Sequence, residues 1–224
     1  SSAADLEQAF EASVDGGTEG LMVKCMGAPY SPGKRVSTWL KLKKDYLQSS
    51  LSDAIDAIVI GVSYGTGKNA GLFASFMLAV PAVGGGGHLQ TLCRVGIGFS
   101  EEDLRAIYGR FRDHVVPILS PPVDLAPDPA SWPKNALPDA WLASGAREVW
   151  EVHGADLTLS PMHACATGSR PGMEKVGIAL RFPRVIRVRD DKGVEAATTA
   201  EEVLRLYDSQ VTRMSATPAK GSDG

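Results

Sequence analysis

Ala57-Ile58-Val59-Ile60-Gly61-Val62-Ser63, then Leu72-Phe73-Ala74-Ser75-Phe76-Met77-Leu78-Ala79-Val80, then Leu89-Gln90-Thr91-Leu92-Cys93-Arg94-Val95-Gly96-Ile97-Gly98-Phe99 are three apolar runs in close succession. Each is short and bounded by Gly-rich turns, which is the pattern of β-strands. The first two are joined by Tyr64 to Gly71 (YGTGKNAG), a hairpin loop. A helix is predicted from Glu101 to about His114, with Ser100 and Asp103 spaced as a capping box. Residues 117–141 are Pro-rich and irregular. Glu148–Thr158 and Ile178–Val188 read as further strands, and Thr199 with Glu202 caps a last helix ending near Gln210.

Short strands with glycine turns and helices between them fit a small closed barrel, for which the five-stranded OB-fold is the leading candidate. On the N-terminal side, residues 4–14 carry a helical stripe of Leu6, Phe10 and Val14. Gly16-Gly17 breaks it, Glu19–Lys24 reads as a strand, Pro29–Lys34 as a loop, and Trp39–Leu47 as a second strand. Alternation along that strand sets Leu40 and Leu42 opposite Lys41 and Lys43. The polar stretch 48–52 reads as an interdomain hinge, and the small, polar tail from Thr212 is expected to be disordered. The reading is therefore mainly β with α (α+β), divided into a β-rich piece at 1–47, a barrel at 48–211 and a tail at 212–224.

The chain has 224 residues, 44% hydrophobic and 22% charged, the balance of a soluble globular protein. No apolar run is long enough to span a bilayer, and Ser1-Ser2-Ala3-Ala4-Asp5 is not a secretory signal. Cys25, Cys93 and Cys165 have no metal-ligand spacing; each reads as a small core hydrophobe in a reducing, intracellular setting. A net charge of −3 argues against nucleic-acid binding by bulk charge. Yet Lys175 to Lys192 holds six basic residues (Lys175, Arg181, Arg184, Arg187, Arg189, Lys192) against Asp190 and Asp191. Such a stretch is either a phosphate-facing patch or a solvated strand face.

Four stretches carry a resemblance. Glu19-Gly20-Leu21-Met22-Val23-Lys24 and Trp39-Leu40-Lys41-Leu42-Lys43-Lys44-Asp45-Tyr46-Leu47 resemble motifs IV and V of the covalent nucleotidyltransferases, above all of ATP-dependent DNA ligases. Ala155-Asp156-Leu157-Thr158-Leu159-Ser160-Pro161 resembles a barrel segment of these ligases. Leu180-Arg181-Phe182-Pro183-Arg184-Val185-Ile186-Arg187-Val188-Arg189-Asp190-Asp191-Lys192 resembles their motif VI. Gly98-Phe99-Ser100-Glu101-Glu102-Asp103-Leu104 falls in register between them. The likeness covers almost the whole chain and is strongest to the eukaryotic DNA ligase I type.

The resemblance implies an OB-fold barrel preceded by the last strands of an adenylation domain, and an enzyme that seals nicks in duplex DNA through lysyl-AMP and DNA-adenylate intermediates. It implies ATP and Mg2+, with Glu19 near the metal, where a hard carboxylate oxygen suits magnesium. Lys41 and Lys43, two apart on a strand and so on one face, are carried over as ligands of the nucleotide phosphate, with Lys24 as a further nucleotide contact. Glu19 and Lys24 are five residues apart, so a bulge or a strand end at Lys24 is needed to bring both to one site. The plainer alternative leaves Glu19 in a turn and Lys24 in solvent. Arg187, Arg189 and Lys192 are carried over as cations for the β- and γ-phosphates, a task to which guanidinium groups are suited by bidentate geometry and permanent charge. Arg181 and Phe182 are carried over as a pair entering the minor groove at the nick, with Arg184 and Lys68 as further nucleic-acid contacts. Without the resemblance, Phe182 would read as barrel core.

The nucleophilic lysine of a K-x-D-G motif is absent; the nearest string, Lys43-Lys44-Asp45-Tyr46, lacks the glycine. The expectation is thus a C-terminal piece that is inactive alone and needs the missing N-terminal part of the same enzyme. Nicked double-stranded DNA is its expected partner, with no membrane, a monomeric state, and nuclear work in replication, repair and recombination. Two departures stand out. Thr66 and Asn69 flank Gly67-Lys68 where the family often has basic residues, which weakens any phosphate grip there, and Ile97 replaces a usual threonine. The competing readings are a non-catalytic OB-fold nucleic-acid-binding module and an RNA ligase or capping-type nucleotidyltransferase.

Overall fold

The computed structural model describes residues 3–16, 18, 20–34, 36–43, 54–129, 132 and 134–216. The chain divides into two compact units, one of Ser1–Ser50 with Val211–Gly224 and one of Leu51–Gln210.

In the first unit, helix α1 (Ala3–Asp15) precedes strands β1 (Gly20–Lys24) and β2 (Trp39–Lys43). Phe10 of the helical stripe is buried. The Ser13 hydroxyl donates to the Gly20 carbonyl at 2.9 Å, fixing the end of the helix to the start of β1. The two strands pair antiparallel with Met22 opposite Lys41 and Lys24 opposite Trp39. Beyond β1 the chain turns at Cys25, whose N–H donates to the Thr38 carbonyl at 2.9 Å. Cys25 is exposed there, so of the three cysteines only Cys93 and Cys165 are core residues. The second half of the expected strand at 39–47 lies outside the described residues.

The second unit is built around β3 (Ile55–Tyr64), which is buried along its length except at Tyr64. It pairs with β4 (Phe73–Pro81), and β4 with β5 (Leu89–Val95). Helix α2 (Glu101–Phe111) follows, with the Ser100–Asp103 capping box formed in both directions. Short strands β6 (Val115–Pro117) and β7 (Ala140–Leu142) pair with each other, and β7 pairs with β3. Then come β8 (Val149–His153), β9 (Asp156–Ser160), β10 (Gly177–Arg181), β11 (Arg184–Val188) and helix α3 (Ala200–Ala216).

The main sheet runs β11-β8-β3-β4-β5, with β6–β7 attached to β3, and β9–β10 form a separate pair. The Val185 N–H of β11 donates to the Ile97 carbonyl, just past β5, at 3.0 Å, which closes the two ends of the sheet order on each other. The fold is α+β, mainly β, with an OB barrel in this larger unit. Its core centres on Trp150, with Phe76 at 4.8 Å and Phe99 at 5.4 Å between ring centroids. Burying an aromatic side chain of this kind contributes roughly 2–3 kcal/mol. The Trp150 indole N–H donates to Glu148 at 2.9 Å, so its polar atom is also satisfied.

The main sheet has seven strands where a five-stranded barrel was expected, since two runs read as single strands are broken and the short pair β6–β7 adds to β3. The run 148–158 splits at Gly154, where a Cβ would lie 2.5 Å from Leu180 Cδ1. The run 178–188 splits at Phe182-Pro183, since Phe182 has φ +50° and Pro183 has no N–H for a ladder. The last helix runs past Gln210 to Ala216, into the segment read as disordered tail; residues 217–224 lie outside the described residues. Among the described residues no helix is long and apolar enough to cross a membrane.

Candidate nucleotide- and DNA-binding sites

On the β1–β2 hairpin, the register places Lys24 and Lys41 on one face together with Met22 and Trp39, while the side chain of Lys43 lies outside what is described. Residues directly opposite in an antiparallel pair share a face, and residues two apart along a strand do so as well. Strand β1 ends at Lys24, and the Lys24 ammonium sits 4.4 Å from the centroid of the Trp39 ring. Lys24 and Lys41 are exposed. Leu21, Val23, Leu40 and Leu42 occupy the other face by the same register. Two ammonium groups on one small face favour an anion beside them. Glu19 lies outside the described residues. Among the described ones, no group of three or more His, Cys, Asp or Glu side chains is disposed to hold a metal ion.

On the barrel, β11 and the turn after it form an ion network. Arg189 Nη1 donates to both oxygens of Asp56, at 2.9 and 2.7 Å, while its Nε and Nη2 donate to Asp191 at 2.8 and 2.7 Å. Lys192 Nζ lies 2.6 Å from Asp56 Oδ2. Arg187 Nε donates to Glu151 Oε2 at 2.9 Å, and Arg189 Nη1 approaches the same oxygen at 3.8 Å. Arg187 and Arg189 thus share a face, as alternation requires, despite a register shift between Val185 and Arg187. Ile186 and Val188 stay partly open to solvent. The Arg189 guanidinium holds the Asp191 carboxyl well below the usual range, with its hydrogen bonds the main cause. The Asp191 hydrogen bond in turn raises Arg189 above its ordinary value.

Three cations therefore face three carboxylates, and two of those carboxylates come from far away in sequence: Asp56 on β3 and Glu151 on β8. The sequence reading missed both. A signal was present, because an aspartate inside the apolar run Ile55-Asp56-Ala57 must be paired if the strand is buried. Asp56 is indeed only 7% exposed.

At the turn between β10 and β11, Phe182 is 60% exposed and has φ +50°, a left-handed conformation rare for a bulky residue. The Arg181 guanidinium stacks over its ring at 4.9 Å and also reaches Asp156 Oδ2 at 3.2 Å. Asp156, the first residue of β9, is a brace that the sequence reading assigned no role. Arg184 is exposed at the start of β11, opposite His153. Lys68 is exposed in the 3-10 turn Gly67–Asn69 at the tip of the β3–β4 hairpin. The barrel thus carries an exposed aromatic ring clamped to a cation, with further basic residues near it in sequence.

The hairpin presents lysine on one face and the barrel carries both ion-paired and exposed arginines, a charge pattern suited to phosphate. Comparison with known families shows the class. The family model for the ATP dependent DNA ligase C terminal region matches residues 69–192, and that for the ATP dependent DNA ligase domain matches residues 1–43. The chain belongs to the ATP-dependent DNA ligase family. It is 42% identical over 211 residues to DNA ligase 1 of Schizosaccharomyces pombe, covering 92% of this chain and 26% of that protein. DNA ligase 1 of Arabidopsis thaliana is 38% identical over 222 residues, covering 98% of this chain and again 26% of the relative. The DNA ligase of Aeropyrum pernix is 38% identical over 208 residues, covering 92% of this chain and 32% of its own length. The chain thus spans about a quarter to a third of these curated relatives. Among solved structures, the ligase domain of M. tuberculosis LigD gives a TM-score of 0.48 at 24% identity, covering 86% of this chain and 51% of that one.

Proposed function

We propose that this chain is the C-terminal part of a ligase that uses ATP to seal nicks in duplex DNA. In the whole enzyme, Lys41 and Lys43 hold the phosphate of the adenylate, with Lys24 as a further contact, and Glu19 faces magnesium. The cations after β10 divide between two tasks: Arg187, Arg189 and Lys192 act on the β- and γ-phosphates of ATP, and Arg181, Phe182, Arg184 and Lys68 act on DNA. The complete enzyme takes AMP from ATP onto a lysine with release of pyrophosphate, passes it to the 5′-phosphate, and joins that phosphate to the 3′-hydroxyl with release of AMP. The nucleophilic lysine belongs to the part of the enzyme that this sequence does not contain, so the chain alone forms no covalent AMP adduct. Its work is nuclear, in replication and repair, and it acts as a monomer.

The observation that carries the DNA side of this reading is Phe182. A phenylalanine 60% exposed in a left-handed turn loses both burial and backbone comfort, and such outliers collect where a ligand uses them. Stacked under Arg181, it presents shape and charge together, the combination suited to a minor groove opened at a nick. The test has two arms. In fluorescence anisotropy the chain should bind a nicked duplex more tightly than the intact duplex or a single-stranded RNA of the same sequence. With radiolabelled ATP and magnesium it should acquire no covalent label. Equal affinity for nicked and intact duplex would defeat the nick reading. A covalent AMP adduct would show that a nucleophile has been overlooked.

The absence of K-x-D-G favours a second description of the isolated chain, as a nucleic-acid-binding module without catalysis. The two descriptions meet if an N-terminal part supplied separately restores sealing.

A further inference from the structure

The three cations at β11 are not held alike. Arg189 is 12% exposed and is gripped by two carboxylates, Asp56 and Asp191, through two hydrogen bonds to each. Lys192 shares Asp56 with it. Pulling Arg189 away would leave the buried Asp56 with Lys192 alone, and breaking a buried pair in this way is strongly disfavoured. Arg187 differs on every count. Its side chain is 54% exposed, it donates through one nitrogen to Glu151, and its other close carboxylate, Asp191, stands at 3.9 Å. It also lines a cleft of about 170 Å³ between α2 and β11, together with Phe99, Ile107, Arg110 and Ile186. Arg187 therefore borders open space, whereas Arg189 and Lys192 are not among the residues lining this cleft.

Resting on the reading of β11 as a phosphate-binding strand, we propose that Glu151 is a displaceable internal counter-ion. It occupies Arg187 until a phosphate oxygen takes its place, whereas Asp56 is a fixed counter-ion that holds Arg189 and Lys192 in position. Glu151 and Asp56 are positioning residues with opposite effects. Glu151 competes with the incoming anion, so its charge weakens binding. Asp56 keeps the neighbouring cations in place, so its loss also weakens binding. His153, 3.9 Å from Glu151, and Arg189, 3.8 Å from it, are the other charged or titratable groups facing this carboxylate. Neither replaces Arg187 as its close donor. An exposed pair of this kind shifts an equilibrium by about threefold.

The test is titration of the full chain with inorganic tripolyphosphate, followed by calorimetry and by the arginine Nε–Hε resonances. Glu151→Gln should bind tripolyphosphate about threefold more tightly than the unmodified chain. Asp190→Asn, which removes a nearby exposed charge outside the ion network, should give a smaller gain. Adding Arg187→Ala to Glu151→Gln should abolish the gain. In the unmodified chain, the Arg187 resonance should move on titration while that of Arg189 stays in place, a readout that does not depend on any variant folding. The proposal is overturned if Glu151→Gln binds no more tightly than Asp190→Asn, if neither chain binds, or if Arg187 and Arg189 move together. Should Arg187→Ala weaken binding while Glu151→Gln leaves it unchanged, the counter-ion role falls and the phosphate reading of Arg187 stands. Should Arg187→Ala leave binding untouched in both backgrounds, the phosphate reading itself falls, and this proposal with it.

Discussion

Gly98 lies so close to Val185 that a Cβ at position 98 would sit 2.2 Å from the Val185 carbonyl oxygen and 2.9 Å from its nitrogen. The glycine also has φ +109°, a backbone conformation open to few other residues. With the Ile97 carbonyl accepting from the Val185 N–H, this contact seats β11 against the end of β5. Gly98→Ala should therefore cost about 3 kcal/mol or more through clash and strain combined. Urea denaturation followed by tryptophan fluorescence checks it; a loss below about 1 kcal/mol would mean that β11 can shift away freely.

Phe182→Ala should separate stability from DNA recognition. The ring is already 60% exposed, so the unfolding free energy should change by no more than about 1 kcal/mol. Preference for nicked over intact duplex should nonetheless fall. Phe182→Gly should behave likewise, since glycine accepts φ +50° without strain. A large stability loss with unchanged DNA preference would make Phe182 a structural residue.

His163 links stability to pH. Burial, with help from the Arg94 charge, pushes its imidazole down to about 4 from an ordinary 6.5. The unfolded chain thus takes up a proton more readily than the folded one between these values. The contribution is fully present above pH 6.5 and is lost as pH falls toward 4, amounting to about 3 kcal/mol. Chemical denaturation across this window should show that loss in the natural chain and a flatter profile in His163→Phe. Parallel profiles would sink the assignment.

Gln210 acts as a one-residue strand. Its side-chain oxygen accepts from the Leu157 N–H at 2.8 Å and its NH2 donates to the Leu157 carbonyl at 2.9 Å. This satisfies the edge of β9 that β10 does not. Gln210→Ala should cost about 1–2 kcal/mol and speed hydrogen exchange at the Leu157 amide. Unchanged exchange would show that water serves that amide equally well.

Lys41→Ala, placed in the full-length enzyme, should slow formation of the enzyme–AMP adduct on the order of 10²-fold while nick affinity stays within a factor of about two. A single-turnover adenylylation assay beside anisotropy distinguishes these. Collapse of DNA affinity with normal adenylylation would move Lys41 from the nucleotide to the DNA.

Much of the barrel was legible because β3, β4 and β5 are apolar enough to be recognised without their neighbours, and because Ser100/Asp103 and Thr199/Glu202 mark helix starts by local chemistry. The Thr199 and Glu202 groups indeed exchange hydrogen bonds across the first turn of α3. The breaks at Gly154 and Phe182 were less visible, since each depends on what approaches from elsewhere: Leu180 in one case, the β10–β11 turn geometry in the other. The lysines of the hairpin share a face by period alone, but that Lys24 joins them needed the register with β2. The partners of Arg187 and Arg189 could not be read locally at all. Asp56 stands 133 residues from Arg189, and only the closure of the sheet brings the two together.

Strand β3 pairs with β8 through Ile55 opposite Val152, almost a hundred residues further along. During synthesis at ordinary speed that interval lasts about 5–20 s. Throughout it the most completely buried strand of the barrel has left the ribosome with one edge waiting for a partner not yet made. The hairpin with β4 can shelter the other edge early, but the side destined for β8 is open to any passing strand. A nascent chain of this kind is a natural client for chaperones, and slowing translation between β5 and β8 should raise its misfolded fraction.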